Sequence, residues 1–498
     1  MLFSEMIATS GYYPLSGIVL LGALYITWNI IYNRHIHPLR HYPGPLSAAV
    51  SRIPYAKAYV QGKLHLYVQG LHNTYGDVVR VAPDQLSYRN GEAWKDIHSH
   101  GRNFTKDMRF YQESKTKAPS LVVASDGVHP RQKKAILRAF SDSALRDHER
   151  VLQPLVDKLI QRLRENCPDD NAKAVDMTHW YNYVMFDFMA QELFGKPLGC
   201  LDSGAYHPWV DMLFGSIKAW AFVSISKYFP SIAFIIKPIV LFCFRDLLRH
   251  RDTKLSSMSS QVPGRMESES TGAGFITYIQ NNRDPKSTLL PEEVFPNMSF
   301  LMIAGSETTA TLLSGCTFFM LQHREVYDKL VTEIRQEFSS TSEMTFASVG
   351  SLPYLRAVIQ EALRMHPPVP LGMPRIVPDG GAVVSGRFVP GKTSVAVASW
   401  VAYRSPSNFT DPQKFLPERW LDNASEKRDD KTDAFQPFSL GPRGCPGKSL
   451  GYSEASLMLA RLLWSFDLHL SEECHDWDDQ SAYIVWEMKP LLVRLVSR

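Results

Sequence analysis

Cys445 lies in residues 438–447, Phe-Ser-Leu-Gly-Pro-Arg-Gly-Cys-Pro-Gly, a setting typical of a cysteine that does chemistry. Pro446 suits the first position of a helix, where its missing N–H costs nothing, so we expect Cys445 at a helix N-terminus. The helix dipole and free N–H groups there favour an anionic sulfur, which is the form that binds metal ions. The glycines of the segment allow its backbone to pass close to a flat, bulky ligand.

An inert, buried cysteine is the alternative, and it is the usual state of a single cysteine. We expect that state for Cys316, which lies in an apolar helical pattern, and for Cys200. For Cys445 it would leave the glycines and Arg443 without a purpose. A thiolate ligand explains the segment better.

A second candidate lies on a helix that we expect to be buried. Residues 295–322 are apolar nearly all round and carry one charge, Glu307. An isolated buried carboxylate is costly, so we expect it to have partners or a task. Small residues at 304–306 predict room beside the helix, and Thr308 can donate back to the carbonyl of Ala304 and open the helix locally. The alternative is an ordinary Ser/Thr-rich packing face.

Glu361 and Arg364 lie at i and i+3 on a predicted helix that ends at Met365, before His-Pro-Pro. Alone, such a pair is usually an exposed surface contact that stabilises little. A Pro-Glu-Arg-Trp sequence containing Arg419 follows downstream.

The elements that position these residues are mostly helical. Helical periodicity covers residues 130–200 and continues from about residue 275 to Met365. Residues 75–91 alternate and break at Pro and Gly, which predicts a hairpin, and residues 378–403 predict short strands. The sequence therefore predicts one mainly α body with small β-sheets.

The segment around Cys445 resembles the haem-binding loop of the cytochrome P450 family, Phe-x-x-Gly-x-Arg-x-Cys-x-Gly, at every fixed position. Residues 304–309 resemble the acid–alcohol pair of that family. Glu361 and Arg364, together with Arg419 downstream, resemble the Glu–Arg network of that family. The resemblance covers essentially the whole chain and implies the cytochrome P450 fold, preceded by one N-terminal transmembrane helix.

By this resemblance each candidate residue has a role around haem b, iron protoporphyrin IX. Cys445 would bind the iron, with Phe438 beside the ring and Gly447 allowing close approach. Glu307 and Thr308 would relay protons to dioxygen. The resemblance also assigns Arg375 and Arg443 to the haem propionates, and Glu361, Arg364 and Arg419 to a buried bracing network.

His129 and Lys133 occupy the place of the family's His/Trp-x-x-x-Arg motif, which also contacts a propionate. Lys133 stands where the family has Arg, and a lysine cannot make a bidentate contact. His129 is either a propionate ligand or a capping or surface histidine, and both interpretations stay open.

The N-terminus predicts a membrane anchor at residues 1–33, with a span of about 12–32, a basic, Pro-rich hinge at 34–45 and a catalytic domain at 46–498. Positive residues follow the span, which predicts a single-pass protein of the endoplasmic reticulum with a cytosolic catalytic domain. A cleaved signal peptide is the alternative. A second apolar run, residues 228–244, predicts either a membrane-dipping surface or a buried helix.

Several functions are excluded by composition and motif context. A net charge of +4 over 498 residues does not suggest nucleic-acid binding. Residues 386–393 satisfy GxxxxGKT, but an alternating strand pattern follows where a phosphate loop needs a helix. No dinucleotide fingerprint follows a strand, so we expect electrons from an NADPH-dependent reductase, with cytochrome b5 as a second candidate partner. A basic docking face would comprise Arg131, Lys133, Lys134, Arg138 and Lys448.

The resemblance implies a membrane-bound monooxygenase that inserts one atom of dioxygen into an apolar small molecule, by hydroxylation, epoxidation or a related oxidation in natural-product biosynthesis. The alternatives are an oxygen-independent haem-thiolate isomerase or dehydratase and a non-enzymatic haem-binding protein. Candidate pocket-lining residues are Phe104 to Tyr111, Val122, Val123, Phe300, Ile303, Val369 to Met373 and Ile484 to Trp486.

Overall fold

The computed structural model describes residues 12–111, 118–167, 174–229, 274–280, 287–422 and 429–498, with residues 238 and 242. The described chain is mainly helical with small sheets, as predicted. Its α-helices, numbered α1 to α17, are Tyr12–Ile31, Leu46–Val50, Ile53–Val60, Leu64–Tyr75, Gly91–His98, His129–Ile136, Asp142–Asn166, Met177–Phe194, Cys200–Ser203, Pro208–Tyr228, Phe275–Gln280, Pro291–Gln322, Arg324–Glu337, Phe346–Gly350, Pro353–Met365, Ser399–Tyr403 and Lys448–Ser465.

Helix α12 (Pro291–Gln322) is the long buried helix that the apolar pattern predicts. It begins with a proline at its first position, and the Glu293 carboxylate accepts the free N–H of Leu290 at 2.9 Å. Its closest neighbour is α8. A Cβ on Gly305 would lie 2.6 Å from the sulfur of Met189 on α8, so Gly305 is a helix-packing residue. The predicted room beside residue 305 is therefore filled by α8.

The largest sheet in the described chain has the order β1-β2-β8-β5-β3. The predicted hairpin at 75–91 is β1 paired antiparallel with β2, and β2 pairs parallel with β8. Residues 386–393 contain β7 and a turn that enters strand β8, so no helix follows the phosphate-loop pattern. The strands β1 to β12 are Val78–Ala82, Gln85–Tyr88, Thr105–Lys106, Val175–Asp176, Arg375–Ile376, Ala382–Val384, Arg387–Val389, Ser394–Val397, Phe466–Leu470, Ser481–Ala482, Trp486–Glu487 and Leu492–Ser497.

Smaller sheets and single turns complete the body. Strands β4, β12 and β9 form a three-stranded sheet, while β6 pairs with β7 and β10 with β11. A π-helix spans Tyr32–Ile36. The described 3₁₀ turns are Leu137–Phe140, Thr341–Glu343, Pro417–Trp420, Thr432–Ala434, Gly441–Arg443 and Glu472–Cys474.

The N-terminal helix α1 spans Tyr12–Ile31, within the predicted anchor, and residues 1–11 lie outside the described residues. Within the described residues, no helix combines the length and the apolar character needed to cross a membrane. The segment after α1 packs on the body. Arg80 donates to the backbone and side-chain oxygens of Asn33 at 3.1 and 2.9 Å, and Tyr42 is buried. Apart from residues 228, 229, 238 and 242, the apolar run 228–244 lies outside the described residues.

Candidate active site

Cys445 sits at the end of a tight loop. Its backbone N–H donates to the carbonyl of Phe438 at 2.8 Å, which closes the loop, and its side chain is exposed. Gly441 has a φ of +66°, and a Cβ there would lie 2.0 Å from the carbonyl oxygen of His98. Only glycine fits this position. Helix α17 begins at Lys448, so the prediction that Pro446 is the first helical residue is wrong.

The charge state of Cys445 also differs from the prediction. Loop atoms around the sulfur raise the pKa of the thiol by desolvation, although the side chain stays accessible. The N–H of Gly447 and the positive charge of Lys133 oppose this rise only partly. The predicted thiolate bias is therefore wrong for the protein without a metal ion. A bound metal ion displaces the thiol proton and restores the thiolate.

The aromatic and glycine positions beside Cys445 are tightly packed. Phe438 packs against Tyr452, with ring centroids 5.3 Å apart. A Cβ on Gly447 would lie 3.3 Å from the Phe140 ring and 3.8 Å from the Cys445 sulfur. Gly447 therefore keeps the space close to the sulfur clear of a side chain.

Lys133 supports the cysteine loop from helix α6 (His129–Ile136). Its ammonium donates to the carbonyls of Pro442 at 2.7 Å and Gly444 at 2.9 Å. These bonds hold the loop in place. A contact between Lys133 and a haem propionate stays a prediction. His129 is buried, and burial together with nearby cations lowers its pKa to about 3, so it is neutral. The surface interpretation of His129 is therefore wrong.

Two arginines, Arg443 and Arg375, form a second group of candidate haem-binding residues. Arg443 donates to the carbonyl of Ala124 at 3.0 Å and to Asp126 at 2.5 Å, but its Nη1 is buried without a partner among the described residues. Arg375 is 5% exposed. Within the described chain, no oxygen accepts a hydrogen bond from its guanidinium. Burial lowers the pKa of Arg375, and the charge of Arg443 lowers it further.

Lys106 belongs to the same cluster, and the sequence did not single it out. It lies opposite Arg375 in the pairing of β3 with β5, and its ammonium lies 5.0 Å from the centroid of the Tyr111 ring. Burial, followed by the charges of Arg443 and Arg375, lowers the pKa of Lys106 to about 6. The pairing of β3 with β5 brings Lys106 and Arg375 together. No local sequence motif predicts that pairing.

This donor set fits a haem. An accessible sulfur supplies an iron ligand, and buried cations with unused donors supply contacts for anionic carboxylates. The negative charge of Asp126 acts on both Lys106 and Arg375. Arg375 and Arg443 together exceed that charge, even with Lys106 mostly neutral at pH 7. Bound propionates would balance that excess.

The acid–alcohol pair lies on helix α12. The hydroxyl of Thr308 donates to the carbonyl of Ala304 at 2.6 Å, as predicted. Glu307 is 2% exposed, and its Oε2 has no partner among the described residues. Burial raises the pKa of Glu307 to about 8, so the carboxyl is protonated at neutral pH. Burial raises the pKa of the partly buried Tyr206, which lies outside the helix, and an ionised Glu307 would raise it further.

The Glu–Arg network forms as the spacing predicts. Both oxygens of Glu361 accept from Arg364, at 2.7 and 2.9 Å, and Arg419 donates to the same carboxylate at 3.1 Å. Trp420 adds a further donor at 2.8 Å. Asp430, which the sequence did not indicate, also pairs with Arg419. The network ties helix α15 to the segment that leads into the cysteine loop.

The predicted pocket residues lie on several elements of the fold. On α12, Phe300 and Ile303 are half-buried, as Thr308 is. Tyr111 and Val123 are buried, and the indole of Trp486 donates to the carbonyl of Pro367 at 2.8 Å. Residues 112–117, next to this group, lie outside the described residues.

The predicted basic docking face is smaller than expected. Arg131 pairs with Glu293 at 2.5 Å and donates to the carbonyl of Thr288, while Lys133 is bound to the cysteine loop. Lys134, Arg138 and Lys448 are exposed and stay in the face.

Comparison with known proteins decides the family. The model of the family described as Cytochrome P450 matches residues 43–495. The chain belongs to the cytochrome P450 family. It is 42% identical over 480 residues to the cytochrome P450 monooxygenase atr2 of Stereocaulon alpinum, covering 96% of this chain and 94% of that protein. It is 40% identical to the monooxygenase astJ of Aspergillus oryzae, with coverage of 95% and 94%. Averantin hydroxylase of Dothistroma septosporum is 36% identical, with coverage of 99% and 94%.

The family confirms the P450 fold, the haem cofactor and the monooxygenase function, with a redox partner, dioxygen and a small-molecule substrate. It also supports a role in fungal natural-product biosynthesis. The isomerase alternative is not favoured.

Lys106 generates the first prediction. Replacement of Lys106 by Met should weaken haem binding by the apoprotein about tenfold, because one charge-assisted contact to a propionate is lost. Lys106→Arg should bind within a few-fold of the natural chain. Binding is measured by quenching of tryptophan fluorescence on titration with haem. The exposed Lys329→Met is the control, and equal affinities of Lys106→Met and Lys329→Met would contradict the role of Lys106.

Glu307 generates a prediction on stability. Its pKa is raised from 4.5 to about 8 by folding, so its stabilising contribution is complete below pH 4.5 and is lost as the pH rises through 8. The loss is on the order of 1 kcal/mol for each pH unit. Glu307→Gln removes this pH dependence. The free energy of unfolding of the variant, relative to that of the natural chain, should therefore rise from about pH 5.5 to about pH 7.5.

Urea unfolding midpoints of both proteins at those two pH values measure the difference. Glu472→Gln, at an exposed position, is the control and should follow the natural chain. Parallel pH dependence of Glu307→Gln and the natural chain would show that Glu307 ionises normally.

Proposed function

We propose that this cytochrome P450 uses electrons from NADPH, delivered by a reductase, to insert one atom of dioxygen into an apolar natural product. The observation that carries the proposal is the accessible Cys445 sulfur at the end of a loop braced by Lys133. One relative is named averantin hydroxylase, so hydroxylation is the reaction class that we place first. Epoxidation or a related oxidation is the alternative outcome.

We assign the residues around the site as follows. Cys445 binds the iron, with Phe438 and Gly447 beside it, while Arg375, Arg443 and His129 line the propionate side together with Lys106. When bound, the haem supplies the iron at which dioxygen is activated. The hydroxyl of Thr308 holds a proton near the site of dioxygen activation. The protonated carboxyl of Glu307, on the same helix, is the proton donor.

Glu361, Arg364 and Arg419 act on structure rather than on chemistry. Their carboxylate and guanidinium groups are buried and fully engaged, so they hold the segment before the cysteine loop in place. Removing one member would leave a buried charge without its partner.

We propose that the electron donor docks on the basic face formed by Lys134, Arg138 and Lys448. These residues are exposed and come from α6, the turn after it and the start of α17, on either side of the cysteine loop. An NADPH-dependent reductase with an acidic surface is attracted to such a face. Cytochrome b5 is a second candidate donor.

Replacement of Cys445 tests the proposal directly. The reduced protein with carbon monoxide should show the red-shifted absorption of thiolate ligation, and Cys445→Ala should lose it because the variant lacks the proposed iron ligand. Cys167→Ala removes a buried cysteine outside the site and should keep the band. A band that survives in Cys445→Ala would disprove the ligand assignment.

Turnover is measured with reductase, NADPH and the extract of a strain that lacks this gene. Substrate-dependent consumption of both NADPH and oxygen is expected, together with a product that gains one oxygen atom. Conversion without oxygen would contradict the monooxygenase assignment.

We propose that residues 1–33 anchor the protein in the endoplasmic reticulum as a single-pass span, with the catalytic domain in the cytosol. Side chains along α1 support this, because Leu20, Leu21 and Leu24 are exposed by 61, 68 and 58%. Such a row of exposed apolar side chains is costly in water. Arg34 and Arg40, both exposed, follow on the side that would face the cytosol.

Charge substitution in α1 tests the anchor. The full chain with Leu21→Lys and Leu24→Lys should move from the microsomal to the soluble fraction, because charges inside a span are costly. Leu137→Lys alters an exposed leucine of the body and should leave the distribution unchanged. Retention of the double variant in carbonate-washed membranes would contradict the anchor.

A further inference from the structure

A phenylalanine from outside the cysteine loop lies beside the Cys445 sulfur. The ring of Phe140, in the 3₁₀ turn Leu137–Phe140, and this sulfur border the same point, since a Cβ on Gly447 would lie 3.3 Å from the ring and 3.8 Å from the sulfur. The N–H of Gly447 acts on the sulfur as a hydrogen-bond donor. Phe140 therefore occupies the space beside the backbone that holds the sulfur.

Phe140 is half-buried, and a second phenylalanine packs against it. Phe275, the first residue of helix α11, is 1% exposed, and the two rings meet edge-on with their centroids 5.1 Å apart. This is a favoured geometry for two aromatic rings. A Cβ on Gly274 would lie 2.9 Å from the carbonyl oxygen of Glu192, so the start of α11 lies close against α8.

A buried histidine and a buried carboxylate contact the start of α11. Glu192, on α8, accepts a hydrogen bond from the N–H of Phe275 at 3.2 Å. His148, on α7, stacks on the Phe275 ring with the centroids 4.6 Å apart, and its Nδ1 lies 2.9 Å from Oε2 of Glu192. The Nε2 of His148 donates to the carbonyl of Ala139 at 2.8 Å. His148 thus joins the start of α11 to the turn that ends at Phe140.

The polar members of this cluster do more than fill space. The side chains of Glu192 and His148 are fully buried, and apolar side chains of similar volume would fill the same interior at lower cost. Polar groups add direction, because a hydrogen bond restricts the position of its partner more narrowly than an apolar contact does. The cluster is therefore suited to hold the rings of Phe275 and Phe140 in one place.

We propose that Phe140 is a positioning residue for the iron ligand, because its ring keeps water away from the Gly447 N–H and the Cys445 sulfur. Phe275 holds this ring in place, supported by the His148–Glu192 cluster. The proposal rests on the assignment of Cys445 to the iron. Hydrogen bonds and solvent around a metal-bound sulfur shift the reduction potential of the metal. Water beside the sulfur can donate to it and stabilise the reduced, more negative state, so Phe140 keeps the potential low.

Hydrogen exchange of the apoprotein tests the shielding without haem. The Gly447 amide, resolved from overlapping peptides, should exchange about tenfold faster in Phe140→Ala than in the natural chain, because water reaches the N–H. Phe140→Leu keeps most of the bulk and should exchange within about threefold of the natural rate. Phe346→Ala removes a half-buried phenylalanine at the start of α14 and is the matched control, with the natural rate expected. Equal rates in Phe140→Ala and the natural chain would overturn the shielding.

Gly274→Ala tests the contact from α11 and leaves Phe140 itself unchanged. The added Cβ displaces the start of α11 from α8, so Phe275 loses its position against Phe140. The Gly447 amide should then exchange faster than in the natural chain but more slowly than in Phe140→Ala. The natural rate in Gly274→Ala would overturn the role of Phe275, and this variant keeps the test decisive where Phe140→Ala does not fold.

The reduction potential of the haem-loaded protein supplies the second measurement. Phe140→Ala should raise the potential, Phe140→Leu should bring it back close to the natural value and Phe346→Ala should leave it unchanged. Lost packing alone would lower the thermal unfolding midpoint of Phe140→Ala without moving the potential. Equal potentials in Phe140→Ala and the natural chain would therefore overturn the positioning role.

The outcomes separate this proposal from the enzyme function. A natural chain that lacks the red-shifted carbon monoxide band, while Phe140→Ala still exchanges faster, would contradict Cys445 as the iron ligand and support the shielding. A natural chain that shows the band, but whose exchange and potential respond neither to Phe140→Ala nor to Gly274→Ala, would overturn this proposal and support the enzyme function.

Discussion

A concentration of buried positive charge, opposite an accessible cysteine sulfur, organises the site. Arg375 and Arg443 are largely buried, Lys106 joins them through the β3–β5 register, and Asp126 is the carboxylate beside them. Holding such cations together in a protein interior is costly. The arrangement is stable in full only with an anionic ligand, and a haem with its propionates supplies the missing charge.

On the cysteine side of the site, the position of the sulfur depends on a rigid backbone rather than on charge balance. Lys133 donates to two carbonyls of the cysteine loop, and the bond from the Cys445 N–H to Phe438 closes it. Behind the loop, Glu361 gathers donors from two arginines and a tryptophan. These contacts leave the sulfur little freedom. A sulfur held in this way would offer a bound iron a ligand with little freedom to move. The structural network thereby supports the chemistry without touching the reacting atoms.

Most of the contacts that the sequence predicted correctly join residues close together in the chain. The Cys445 loop, the bond from Thr308 to Ala304 and the pair of Glu361 with Arg364 all lie within short stretches of chain, so their contacts follow from the pattern. Lys106 and the partners of Lys133 depend on strand register and helix docking, which no single segment encodes. Some expectations failed for physical reasons: the helix begins after Pro446, desolvation outweighs the opposing N–H group and cation at Cys445, and α8 fills the room expected beside Gly305. Of the interpretations left open for His129, burial excludes the surface position. The mainly helical body and the small sheets followed from periodicity, whereas the close approach of α8 to Gly305 did not.

The central claim is that buried cations and an anionic haem edge complete each other. It is tested most directly by titrating the apoprotein with haem and with its dimethyl ester, in which both propionates are neutral. The account predicts that the ester binds at least about 100-fold more weakly and gives a smaller rise in the thermal unfolding midpoint, because the charges of Arg375 and Arg443 stay unbalanced and Lys106 gains no anionic partner. Equal affinity and equal stabilisation by the two compounds would contradict it.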